Sequence, residues 1–150
     1  MQEDCELIGR SGLWLREVWI DEPYFWNLEL RASSGYMATG LELFNCHPGV
    51  FSAFAEQLLA FGGRVEDEAV LGLGEDAKST SELILRAYLH DRVGHAALQV
   101  FTDNKMAAPD NEAAQFTIRC EVAALNRLGA ALLTWIQQPE EDLCWIVKPD

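Results

Sequence analysis

The sequence predicts an α+β fold: an antiparallel sheet with a strand meander, a helix, further strands and a C-terminal helix packed on the sheet. Three observations carry this. The amino-terminal third alternates apolar and polar residues with period two, and turn residues separate the runs. The spacing switches to three and four over Val50–Phe61 and again over Ala124–Gln138. At 150 residues, 49% hydrophobic and 23% charged, the chain has the size and composition of one globular domain, residues 1–150, with 139–150 as a docked tail.

The elements follow in order. Leu13–Ile20 is rich in aromatic and β-branched residues and stops at Asp21-Glu22-Pro23. Phe25–Ala32 puts Trp26, Leu28 and Leu30 on one face and Asn27, Glu29 and Arg31 on the other. Ser33-Ser34-Gly35 turns the chain into Tyr36–Phe44, where Gly40 predicts a bulge or a close neighbour. Pro48 suits the first position of a helix, and Val50, Phe51, Phe54, Leu58 and Phe61 give that helix an aromatic face, closed by Gly62-Gly63. Residues 64–82 read as loop with a short strand at Val70-Leu71. Leu83–Leu89 and Ala96–Thr102 are strands joined by a tight turn with Gly94 available for positive φ. A polar loop from Asp103 to Asn111 leads to the strand Gln115–Val122. The last helix, Ala124–Gln138, carries Gly129 in its interior, a cost of about 1 kcal/mol against alanine that close backbone packing would justify. Leu143–Val147 is too apolar for a free tail and is expected to dock as an edge strand or over a seam of the core.

Charge narrows the function. Eleven Lys+Arg against twenty-four Asp+Glu give a net charge of −13, which opposes nucleic acid and anionic membranes and favours a basic protein partner, or simply high solubility. The acidic start of the chain has no signal-peptide pattern, and no apolar run reaches a membrane span. Cys5, Cys46, Cys120 and Cys144 are widely spaced. An even count allows two disulfides, but a chain of this size does not require them, so free thiols in a reducing cytoplasm are the expectation.

Chemistry-bearing motifs are sparse. No phosphate loop, dinucleotide turn, zinc-protease helix or nucleophile elbow occurs, and no cofactor is implied. His90, Asp91 and His95 flank one turn and are the weak metal candidates; zinc sites ordinarily take three or four protein ligands, and the simpler reading gives Asp91 and Gly94 to the turn. Cys46 beside His47 lacks the geometry and the third group of a nucleophilic pair. Trp14 and Trp19, five apart, would face opposite sides of a regular strand. One of them therefore falls outside the main core unless a helix or the tail Leu143–Val147 covers it. An exposed tryptophan rimmed by Glu17, Asp21, Glu22 and Glu29 would be an interface anchor.

The meander ending in Leu41-Glu42-Leu43-Phe44, the aromatic helix Val50–Phe61, the strands joined by His90-Asp91-Arg92-Val93-Gly94-His95-Ala96 and the helix through Trp135 together resemble bacterial immunity proteins of the WapI type and related small bacterial domains. The resemblance covers about residues 13–136, and Gly94-His95 opening a strand is its most specific feature. It implies a non-enzymatic protein that binds and neutralises a cognate toxin. Glu17, Asp21, Glu22, Glu29 and Glu42, or the carboxylates at 66–68, would then form the electrostatic footprint, with Trp19 as anchor. Two alternatives stand beside it: a small-molecule-binding domain with an apolar pocket between sheet and helices, and a metal-dependent enzyme using His90, Asp91 and His95. An exposed edge strand would permit a homodimer, but the sequence does not choose it over a monomer.

Overall fold

The computed structural model describes residues 5–21, 25–74 and 81–147. The element order is β1 (Ser11–Asp21), β2 (Phe25–Ser34), β3 (Ala38–Cys46), α1 (Pro48–Leu59), β4 (Glu68–Leu73), β5 (Glu82–Leu89), β6 (His95–Asp103), β7 (Ala113–Glu121), α2 (Val122–Gln137) and β8 (Leu143–Val147). The α+β architecture is the one expected, with its strands divided between two four-stranded antiparallel sheets, β3-β2-β1-β8 and β4-β5-β6-β7. Strand patterns carry no mark of which neighbour they pair with. The division was therefore hidden, although each strand was not.

Period-two alternation builds the inner faces. Leu13, Leu15, Leu28, Leu30, Leu41 and Leu43 point inward from the first sheet; Leu71, Leu83, Leu85, Leu98, Val100 and Ile118 do so from the second. Phe51, Phe54 and Leu58 of α1 and Leu125, Leu128, Leu132 and Trp135 of α2 join them in one continuous cluster. The sheets also touch through polar groups. The Thr39 and Thr102 hydroxyls lie 2.7 Å apart, and Ser81 Oγ donates to the Glu42 carbonyl at 2.7 Å.

Each helix owes its position to local chemistry. His47 caps α1: its Nδ1 accepts the Gly49 N–H at 2.9 Å, and Pro48 occupies the first turn. The helix stops at Leu59, two residues before the expected Phe61, which is buried just beyond the end. Asn126 of α2 explains the early stop. Its Nδ2 donates to the Leu58 and Phe61 carbonyls at 2.8 and 3.0 Å, so α2 supplies partners that a further turn would have supplied. Gly129 sits where the helices cross, and a Cβ there would lie 2.7 Å from the Ala55 carbonyl oxygen. The close packing expected of that glycine is present.

Other expectations change. The register runs evenly past Gly40, opposite Arg31; the irregularity of β3 lies instead at Phe44 and Asn45, and Asn45 has φ +56. The short strand expected at Val70-Leu71 spans six residues as β4. The apolar tail is a true edge strand, with Leu13 opposite Trp145 and Leu15 opposite Leu143. The expectation of four free thiols is corrected: Cys5 and Cys144 form a disulfide, while Cys46 and Cys120 are free and buried. Burial of apolar residues made the bond unnecessary for size, but β8 docking beside β1 brings the two cysteines to a Cα separation of 5.7 Å, ordinary for a disulfide.

Candidate functional site

The outer face of the β3-β2-β1-β8 sheet gathers Trp19, Glu29 and Glu42, three of the six partner-binding candidates, and a bulge decides what it shows. The β1–β2 register shifts between Glu17 and Trp19, with Val18 the extra residue. Trp14 is opposite Arg31 and Trp19 opposite Asn27, so the bulge brings both tryptophans to the outer face. Their expected opposition is thus overturned. A regular strand would have turned Trp19 inward.

The two rings meet different fates. Trp14 is partly buried: Nε1 donates to Asp142 Oδ2 at 3.2 Å, and the Arg16 and Arg31 guanidinium carbons stand 5.6 and 4.9 Å from its ring. Trp19 is 59% exposed and is not covered by the carboxyl-terminal strand. Asn27 holds its surroundings in place, donating from Nδ2 to the Trp19 carbonyl at 3.3 Å and accepting the Asn45 N–H at 3.2 Å. The second bond fixes the irregular turn of β3 that presents Phe44, 52% exposed. Phe25 shares this face two residues before Asn27 and is 48% exposed. Trp19, Phe25 and Phe44 therefore surround one buried asparagine that bonds through both its amide nitrogen and its amide oxygen. Sequence reasoning missed Phe25 and Phe44, whose only signal was a large apolar residue on the wet side of an alternating strand.

The carboxylates divide. Glu29 and Glu42 are opposite one another on this face. Glu29 is committed to two arginines, with Oε1 2.8 Å from Arg16 and Oε2 3.1 Å from Arg31. Glu17 is opposite buried Leu28, on the other side of the sheet, and is partly buried. Asp21 ends β1 opposite Phe25, and Glu22 lies outside the described residues. At the second acidic run, Asp67 accepts the Gly62 and Arg64 N–H groups at 2.9 and 3.0 Å, which hold its carboxyl below the ordinary range, and Glu68 pairs with Arg86 at 2.8 Å. The structure thus joins Trp19, Glu29 and Glu42 on one surface and leaves Glu17 out.

The turn between β5 and β6 gives its carboxylate to structure. Asp91 Oδ1 accepts the Val93 and His95 N–H groups at 2.9 and 3.2 Å, and Oδ2 lies 2.6 Å from His95 Nδ1. The His95 bond leads the causes that lower the Asp91 carboxyl. Gly94 takes φ +91, as the tight turn required. The His90 and His95 rings are 6.5 Å apart between centroids, and among the described residues no group of three His, Cys, Asp or Glu side chains converges as a metal shell. Burial pushes the Cys46 thiol up to about 11 and, with Glu121 nearby, Cys120 to about 12. Neither is poised to act as a nucleophile near neutral pH. Among the described residues no helix is long and apolar enough to cross a membrane.

Comparison of the chain with protein-family models, with curated proteins and with solved structures returned no match.

Proposed function

We propose that this protein is a non-enzymatic protein-binding domain, an immunity protein that neutralises a cognate bacterial toxin. The observation that carries the reading is the aromatic patch of Trp19, Phe25 and Phe44 on an otherwise polar sheet face. Large rings that are held rigidly and left half in water supply hot-spot energy when a partner covers them. The charge of −13 supplies the second part, steering a basic partner toward the molecule at long range and repelling nucleic acid and anionic membranes. Glu29 is already neutralised by two arginines, so the anchor in this reading is aromatic and the footprint rests on Glu42 and the overall field.

The space between the sheets is filled by Phe51, Phe54, Leu58 and Trp135, which weighs against a large apolar ligand pocket there. Meeting a toxin where it is made places the protein in the cytoplasm. The Cys5–Cys144 bond weighs the other way, since that compartment keeps thiols reduced.

Co-expression with the product of the neighbouring reading frame tests the reading. Growth rescue with a complex that dissociates as salt rises is expected. Trp19→Ala should weaken the complex by about 2 kcal/mol, some thirtyfold, while the free protein's stability stays within about 0.5 kcal/mol because the ring is exposed. Absence of both rescue and complex would remove the proposal. A complex indifferent to Trp19 would move the interface off this face.

A further inference from the structure

The chain has eight arginines. Arg16 and Arg31 pair with Glu29, and Arg86 pairs with Glu68. Three others, Arg10, Arg119 and Arg127, line one cleft of about 810 Å³, together with His90 and His95. Among the described residues none of these three arginines has a carboxylate at ion-pair distance. Glu121 is the acidic residue of the lining, and its Oε1 is 3.8 Å from His95 Nε2.

Fold geometry explains the assembly. The cleft opens where β7 runs directly into α2, so Arg119 near the strand end and Arg127 in the second turn of the helix border the same space. Arg10 enters from the segment before β1, and Ile146 and Val147 of β8 form the far wall. Small residues, Gly9, Ala96, Ala123 and Ala124, line the floor where larger ones would fill the space. Glu121 makes no side-chain capping bond at the start of α2, so the dipole's positive end adds to the three guanidiniums. His95 is oriented by its 2.6 Å contact with Asp91 Oδ2.

We propose that this cleft binds a small molecule carrying a di- or triphosphate group. Guanidinium forks bind phosphate oxygens in pairs, and three without carboxylate partners suit an anion of several charges better than a single carboxylate. The volume falls in the range of about 300–1,000 Å³ typical of small-ligand sites. Among the described residues five arginines have no carboxylate at ion-pair distance; Arg64 and Arg92 lie elsewhere, and the other three, Arg10, Arg119 and Arg127, border this cleft. Their concentration around one empty-walled cleft is what singles it out. The site lies apart from the aromatic face and is independent of the protein-binding reading.

Isothermal titration calorimetry at low salt, with inorganic pyrophosphate, ATP and citrate as separate probes, tests the proposal. Saturable one-to-one binding of pyrophosphate or ATP is expected, with citrate weaker. Arg119→Gln and Arg127→Gln should each lower affinity about tenfold or more, while Arg86→Gln, on the same sheet but paired with Glu68, leaves it unchanged. Trp19→Ala should also leave it unchanged, which separates this site from the partner face. No saturable heat into the millimolar range overturns the proposal. So does binding that Arg86→Gln weakens as much as Arg119→Gln, or citrate bound as tightly as pyrophosphate.

Discussion

Two buried tryptophans differ by one hydrogen bond. Trp145 Nε1 donates to the Ala124 carbonyl at 2.9 Å, tying β8 to the first turn of α2. Trp135 Nε1 is buried without a partner among the described residues, its ring held edge-on by Trp26 and Phe51 at centroid distances of 5.6 Å. Replacing either by phenylalanine removes similar ring volume. At Trp145 the change also removes a buried hydrogen bond worth about 1 kcal/mol; at Trp135 it relieves an unpaired N–H that costs about 1–3 kcal/mol. Urea unfolding should therefore find Trp145→Phe the more damaging by about 2–4 kcal/mol, and equal losses would show that the Trp135 N–H is satisfied. Neither role was legible beforehand, because a sequence shows that a tryptophan is apolar enough to be buried and not which carbonyl its nitrogen meets. His47 was more legible: the residue before a proline at the start of a helical pattern has few other places to go.

Elements follow the same logic at longer range. Gly129 was conspicuous because it broke a helix that every neighbouring residue favoured, and the cause is α1 crossing at backbone distance. Gly129→Ala should gain about 1 kcal/mol in helix propensity and lose more, because the new methyl meets the Ala55 carbonyl at 2.7 Å and Leu58 Cβ at 3.0 Å, an overpacking cost of about 1–3 kcal/mol. A net loss is expected in thermal unfolding. The reverse change at its neighbour, Ala130→Gly, is exposed and should cost only the propensity, about 1 kcal/mol. If Gly129→Ala stabilised the protein, the helices would not be in contact there. All of the strands could be read from alternation and turn residues, β4 least fully, but two bulges could not. One extra residue at Val18 inverts every side chain beyond it, and this is why Trp19 reached the outer face against the parity of its strand.

At the scale of the molecule the sequence spoke clearly about charge and class but was silent on closure. Nothing in the spacing of Cys5 and Cys144, separated by 139 residues, marks them as partners; only the docking of β8 beside β1 does. A cross-link closing so long a loop removes much of the unfolded chain's freedom, about 4–5 kcal/mol in the chain-entropy account, with measured losses on removal of about 2–5 kcal/mol. Reduction, or Cys144→Ser, should therefore lower the unfolding free energy by an amount in the lower part of that range, about 2–3 kcal/mol, since β1–β2 pairing and the core survive without it. The two buried thiols make the bond's state readable. Cys46 and Cys120 are shielded and pushed to about 11 and 12, so an alkylating reagent applied to the folded protein reaches Cys5 and Cys144 alone. Protein purified in air should take up no label, two labels after mild reduction, and four after reduction in denaturant. Two labels without reduction, with no change in stability on adding reductant, would show that the bond does not form. Two labels taken up without reduction by protein alkylated inside intact cells would place it in a reducing compartment, the one the proposed immunity function calls for.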